Sequence, residues 1–215
     1  MKKFLLLCVS IFLTPVFASA ATTISSNITT NQTWTTASST FIITADTSIA
    51  SGVTLTINPG VVVKFNGTSI TVNGTLNAPG TATSSIYFTS YHDDSVGGDT
   101  NGNGSASTPA AGNWGGIITN PGASTTLVYA EVRYGGNSFF SSFKNAGGIV
   151  TLANTTFATT GASWAPAFDH KLGTTTITSC TFQNGYYGIY VENTSPSAGV
   201  LTIASSTFST GNYGI

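Results

Sequence analysis

A pair of apolar positions returns about every 25 residues through the second half of the chain, and no other feature restricts the fold as much. Leu127, Leu152, Ile177 and Ile203 step by 25, 25 and 26 residues, and five positions after each stand Val132, Phe157, Phe182 and Phe208. The residues between the two registers are small or polar: VYAE, ANTT, TSCT and ASST. A third echo, Tyr187-Gly188-Ile189 and Tyr213-Gly214-Ile215, is again 26 residues apart. Helical periodicity does not generate such a pattern.

Within each unit the side chains alternate for a few residues, as in Thr174-Thr175-Thr176-Ile177-Thr178, and Gly, Asn or Ser then breaks the run. Alternation over such short stretches is the mark of strands joined by tight turns, and the wealth of Thr and other β-branched residues suits it. A unit this short cannot bury its own apolar face. It must stack on the next, laying each Leu or Ile and each Phe over its counterpart at the roughly 4.8 Å spacing of paired strands. The expected fold is therefore all-β, a parallel β-solenoid with coils of about 25 residues. A propeller blade needs about 40 residues per repeat, and a sandwich would not keep two registers in step.

Residues 1–20 read as a signal peptide: Lys2 and Lys3, the apolar run FLLLCVSIFL, then Ala18-Ser19-Ala20 as a cleavage site. The expected location of the mature chain is secreted, extracellular or on the cell surface, after cleavage near Ala20. No later segment approaches the roughly 20 apolar residues of a membrane-spanning helix. Without Lys2 and Lys3, four basic residues face seven acids, a net charge of about −3, and no basic stripe is present to neutralise phosphates, which argues against nucleic acid. Cys180 is then the one remaining cysteine, placed between Ile177 and Phe182 as a small core residue.

Four zones follow along the chain. Residues 21–32 are a polar lead-in, and the coils run over 33–215. The first coils carry the strand patterns Phe41-Ile42-Ile43, Val53 to Ile57, Val61 to Phe65, Ile70 to Val72 and Ile86 to Phe88, with turns at Asn58-Pro59-Gly60, Asn73-Gly74 and Ala78-Pro79-Gly80. Residues 91–113 form an insertion poor in apolar residues, and regular coils resume at Trp114. The chain stops inside the Tyr-Gly-Ile echo, which would leave an uncapped strand edge, so a C-terminally truncated fragment of a longer protein is expected.

The string GVTLTINPGVVVKF (Gly52 to Phe65), followed by GTLNAPGT (Gly74 to Thr81), IYFTS (Ile86 to Ser90) and GNWGGI (Gly112 to Ile117), resembles the amino-terminal coils of secreted bacterial right-handed parallel β-helix proteins with the pectin-lyase-like fold. The resemblance implies a right-handed solenoid over most of the chain from Trp34. It says little about activity, because that fold carries lyases, hydrolases, adhesins and surface-array proteins alike.

In the lyases of that fold, calcium held by acids bridges an acidic sugar to the protein and a basic residue takes the proton. The arginine available here is Arg133, in Glu131-Val132-Arg133, where Glu131 and Arg133 share the outer face and pair. The stacked neighbours are Thr156, Thr181 and Thr207 for Glu131, and Ala158, Gln183 and Ser209 for Arg133, so no acidic ladder surrounds it. A hydrolase needs two carboxyl groups at defined separation. Asp169 and Glu192, on neighbouring coils with His170 alongside, are the candidates, although Asp169-His170-Lys171 also reads as a polar turn.

The strongest chemical signal lies in the insertion. Asp99, Asn101, Asn103 and Gly104 match the first half of the calcium-loop pattern D-x-[DN]-x-[DN]-G. The second half fails, because Ala110 stands where the bidentate Glu should be. Asp93 and Asp94 would supply the missing charge if the loop folds back, which makes Asp93, Asp94, Asp99, Asn101 and Asn103 the candidate calcium set. The competing reading is a turn-capping, Asp- and Asn-rich loop. His92 has no second His or Cys beside it for a transition metal. Sequons at Asn27, Asn31, Asn66, Asn73, Asn154 and Asn193 follow from the Thr-rich composition. Outward Thr pairs such as Thr54/Thr56 and Thr174/Thr176 suggest an ice-binding face but are also ordinary for strands. Trp34, Trp114, Trp164, Tyr186 and Tyr187 are candidates for a sugar-binding surface, Trp114 being better explained as packed.

The functional expectation is a secreted or cell-surface β-helix scaffold with an adhesive, structural or carbohydrate-contacting role and no catalysis by this segment. Its partners would be a polysaccharide or another surface protein. The alternative is a carbohydrate-active enzyme, a polysaccharide lyase or glycoside hydrolase.

Overall fold

Short strands that cannot close a core alone are stacked here coil upon coil, and among the described residues every pairing is parallel except one isolated bridge in a turn. The computed structural model describes residues 21–137, 141–161, 164–192, 199–211 and 214. Residues 1–20, expected to be a signal peptide, the sequon at Asn193 and residues Tyr213 and Ile215 of the terminal echo lie outside the described residues.

The strands form two hydrogen-bonded sheets. One, the first face, is a single column of eight: Thr22–Ile24, Phe41–Ile43, Val62–Phe65, Ile86–Ser90, Ala130–Arg133, Thr156–Ala158, Thr181–Gln183 and Thr207–Ser209. The other has two arms. The second face contains Thr47–Ile49, Ser69–Val72, Gly116–Thr119 and Tyr187–Val191. The third face contains Gln32–Trp34, Thr54–Ile57, Thr75–Pro79, Ser124–Val128 and Val200–Ala204. Two long strands, Phe143–Ala153 and Pro166–Thr178, run through both arms and join them, with the register broken between Asn145 and Ile149 where the chain turns the corner. The solenoid also begins ahead of Thr33. Within the polar lead-in, Thr22–Ile24 pairs with Phe41–Ile43, because Ile24 packs against the core and Ile28 is buried.

Both repeat registers stack as the spacing requires. Leu127 pairs with Leu152, Leu152 with Ile177 and Ile177 with Ile203 on the third face. Val132 pairs with Phe157, Phe157 with Phe182 and Phe182 with Phe208 on the first. The phenylalanine rings lie nearly parallel, with centroids 5.0 Å apart at both steps. Phe157 and Phe182 are fully buried, and Cys180 is buried beside them. Trp34 stacks on Phe41 and Trp114 on Phe65 inside the same core, and the Trp114 indole donates to the Arg133 carbonyl at 2.7 Å.

Between the two registers the chain must turn within one residue. Tyr129, Asn154, Ser179 and Ser205 do this in the left-handed region, with φ of 45, 49, 53 and 51°. That conformation costs an L-residue about 1–2 kcal/mol. It recurs because the turns themselves form a ladder: the amides of Tyr129, Asn154 and Ser179 donate to the carbonyls of Ala153, Thr178 and Ala204 in the next coil.

Candidate functional site

Two groups of charged side chains stand out, one on each of the first and second faces. The first forms where the insertion folds down onto the outside of the first face. In an uncovered sheet the outward residues Ile42, Val62 and Lys64 would meet solvent, yet all three are buried. Gly97 passes so close over them that a Cβ there would meet the Thr40 hydroxyl at 2.4 Å and Val62 at 3.2 Å. Lys64 Nζ donates to the Gly98 carbonyl at 2.6 Å and Thr40 to the Gly97 carbonyl at 3.3 Å, which fastens the loop. Burial holds the Lys64 ammonium below its ordinary pKa, while Asp94, Asp93 and Asp99 act in the opposite sense. The aspartates of the insertion thus already have a cation in their midst.

Asp93 is buried at the start of the insertion. Its carboxylate accepts from the Thr89 hydroxyl at 2.6 Å and from the Ser95 hydroxyl and amide at 2.5 and 3.1 Å, with Arg133 Nη1 at 3.9 Å. Arg133 is paired with Glu131, as the alternation predicts, through Nη2 and through Nε at 2.9 Å. Its guanidinium also lies 5.0 Å from the centre of the Tyr87 ring. Burial works against its charge, but Glu131 outweighs that and raises its pKa. The pair is therefore part of a half-covered cluster with Asp93, Ser95 and Tyr87.

Further along, Asp99 caps the loop backbone: its two oxygens accept from the amides of Asn103 at 3.2 Å and Gly104 at 2.7 Å. These bonds, Gly104 foremost, keep Asp99 below the usual carboxylate range. Asn101 Oδ1 also accepts from the Asn103 amide at 3.2 Å, while its amide nitrogen reaches the Tyr91 carbonyl at 3.3 Å. The Asn103 side chain donates to Ser107 at 2.8 Å, and His92 meets the same hydroxyl at 3.1 Å. Asp94 Oδ1 is buried without a hydrogen-bond partner. Among the described residues, no three His, Cys, Asp or Glu side chains converge as a metal cluster.

The second group sits on the second face. The register places Lys144 beside Asp169 and Asp169 beside Tyr190, so side chains from three coils meet. Lys144 Nζ donates to Asp169 at 2.6 Å and to Glu192 at 3.2 Å, and Lys171 donates to Glu192 at 3.2 Å. Asp169 and Glu192, distant in sequence, thus share one ammonium. Burial pushes the Asp169 carboxyl up, against the pull of Lys144. Glu192 is held below its ordinary value: burial raises it, but the combined pull of Lys171 and Lys144 outweighs that. Behind them His170 is buried, meets Thr175 Oγ1 at 3.0 Å and is lowered by desolvation. The stretch from Pro166 to Thr178 is a long strand, where the sequence suggested a turn at Asp169 to Lys171.

Of the aromatic candidates, Trp34 and Trp114 are core residues. Trp164 is 70% exposed, its ring 5.1 Å from Tyr186, which packs edge-on against Tyr187 at 4.7 Å. Tyr190, next to Asp169 in the ladder, is also exposed. No helix among the described residues is long and apolar enough to cross a membrane. Comparison with protein-family models, with curated proteins and with solved structures gives no match.

The insertion's grip on the first face was not anticipated from the sequence, although one signal was there. Val61-Val62-Val63-Lys64-Phe65 does not alternate, and a strand apolar on both sides expects cover on both. Lys144 and Lys171, which tie the second-face carboxylates together, were also missed. They were detectable by laying the coils over one another in register, since Lys144 falls 25 residues before Asp169.

Proposed function

We propose that this chain is a secreted or cell-surface right-handed parallel β-helix of the pectin-lyase-like kind, acting as a non-catalytic scaffold that contacts carbohydrate. The leader sequence supports the location. The observation that carries the contact is the exposed Trp164 with Tyr186 and Tyr187 beside it. An indole this exposed gains from covering by an apolar surface, and the C–H face of a pyranose ring fits it while tyrosine hydroxyls bond the ring's edge. The basic and acidic groups of the second face hold one another, so they suit positioning better than proton transfer. Titration with neutral and acidic oligosaccharides, followed by calorimetry and, in the native chain, by tryptophan fluorescence, tests this: binding heat should appear in the native chain and disappear in Trp164→Ala with melting unchanged. If no oligosaccharide perturbs the exposed indole, the reading fails.

A second reading has one observation in its favour. Asp169 is shifted up and Glu192 down around a shared lysine, and two carboxyls pushed apart in this way are a recurrent acid/base arrangement. It requires the chain to depolymerise pectin or alginate and Asp169→Asn to abolish that activity. Calcium binding by the insertion belongs to the same proposal, supported by the ionised Asp99 and the unpartnered Asp94 Oδ1.

A further inference from the structure

The charges of the described chain are confined to the first and second faces, the insertion and the turn at Asp46; the third face has none. Its strands read QTW, TLTI, TLNAP, STTLV, the carboxyl-terminal parts of Phe143–Ala153 and Pro166–Thr178, and VLTIA. Their outward residues form two columns in unbroken register. One is Thr33, Thr56, Asn77, Thr126, Thr151, Thr176 and Thr202. The other is Thr54, Thr75, Ser124, Ile149, Thr174 and Val200.

Side chains in a column are separated by the roughly 4.8 Å of neighbouring strands, and the columns by two residues of strand, about 6.7 Å. The outcome is a two-dimensional lattice, made of hydroxyl and methyl groups except at Asn77, whose first column covers six strand spacings, roughly 29 Å, and whose second covers five, roughly 24 Å. The inward threonines of the same strands are used by the fold: Thr125 bonds Thr119 at 2.7 Å, and Thr175 accepts from Asn145 at 2.8 Å. Among the described residues, no internal hydrogen bond engages the outward hydroxyls of Thr126, Thr151, Thr174 or Thr176. Where the second column departs from hydroxyls it substitutes β-branched Ile149 and Val200, each 60% exposed, which keep the methyl groups in place.

Burying a core calls for regularity inside the solenoid and places no such demand outside it. An outward lattice gains from order only if its ligand is itself periodic. An uncharged face disfavours an ionic polymer, and the absence of an outward aromatic side chain separates it from the stacking surface at Trp164. We propose that the third face binds ice. Both repeat distances lie close to oxygen spacings on the faces of hexagonal ice, so the hydroxyls can enter a water lattice while the methyl groups hold ordered water between the ranks. This inference does not depend on carbohydrate contact by Trp164.

The test is thermal hysteresis and inhibition of ice recrystallisation by the purified chain, with circular dichroism and melting as controls for folding. The native chain should show both effects. Thr151→Tyr, inside the first column between Thr126 and Thr176, should abolish them with the fold intact, and Thr151→Val should retain most of the activity. Thr181→Tyr, an outward change on the first face, should leave it unaltered, as should Trp164→Ala. The proposal is overturned if the native chain has no more effect than an inert protein at equal concentration. It is equally overturned if Thr181→Tyr is as damaging as Thr151→Tyr. Co-sedimentation with crystalline cellulose or chitin without ice activity, or a dimer that Thr151→Tyr dissociates, would assign the face to another occupant.

Discussion

The phenylalanine column and the insertion lie on opposite sides of the same sheet and are held by opposite means. Phe157, Phe182 and Phe208 repeat one contact at each coil, ring over ring at 5.0 Å. The insertion uses each of its contacts once: Lys64 to Gly98, Asp93 to Thr89 and Ser95, Asp99 to Asn103 and Gly104. A repeated contact tolerates variation because the neighbouring coils preserve the register. A single polar contact under cover has no substitute, since a buried group without its partner costs its full desolvation. The column should therefore control global stability, and the insertion should depend on individual residues.

The largest effect is expected from the column. Phe182 is fully buried between Phe157 and Phe208, and Phe182→Ala should cost about 3–5 kcal/mol in denaturant unfolding. A solenoid couples only neighbouring coils, so the loss should appear first in the coils around Thr181 as early hydrogen exchange. An unchanged midpoint would mean that this column does not carry the core.

On the other side of the sheet, Asp93→Ala should cost about 1–3 kcal/mol, because the Thr89 hydroxyl and Arg133 lose a buried acceptor. The more specific outcome is local: proteolysis should begin between residues 97 and 104 while the phenylalanine column stays protected. If cleavage spreads evenly over the coils, the insertion is not a separate unit and the contrast with the column disappears.

The same contrast explains what was legible in the sequence. The pairs from Leu127 to Ile203 and from Val132 to Phe208 follow from spacing alone, because stacking equal coils forces equal residues into contact. Glu131 beside Arg133 follows from alternation. Nothing periodic brings Gly97 over Val62 or Asp93 under Arg133, so the cover of the first face had only the unbroken apolar run of Val61 to Val63 to announce it. Asp169 and Glu192 were recognisable as neighbours, but the lysines that bind them together become visible only when three coils are laid in register.

The smallest effect, and the sharpest probe of the insertion, is its response to calcium. Asp99 is kept ionised by backbone amides and Asp94 has an oxygen without a partner, so the loop has donors suited to a hard cation. A cation that binds only the folded chain at ten times its Kd adds about 1.4 kcal/mol, by RT ln(1 + [L]/Kd). Melting should therefore rise with calcium, and Asp99→Ala should remove the rise. Lys64 sets the competing term, because its buried ammonium already lies in the field of Asp94, Asp93 and Asp99. Lys64→Met takes that charge away while keeping the stem that packs beneath Gly97; it also gives up the bond to the Gly98 carbonyl and so should lower melting without calcium, while the rise on adding calcium should be larger than in the native chain. Calorimetry without heat of binding in either the native chain or Lys64→Met would show that the loop's oxygens serve its own turns. The insertion would then be a polar clasp for the first face, as singular in its contacts as the column is repetitive.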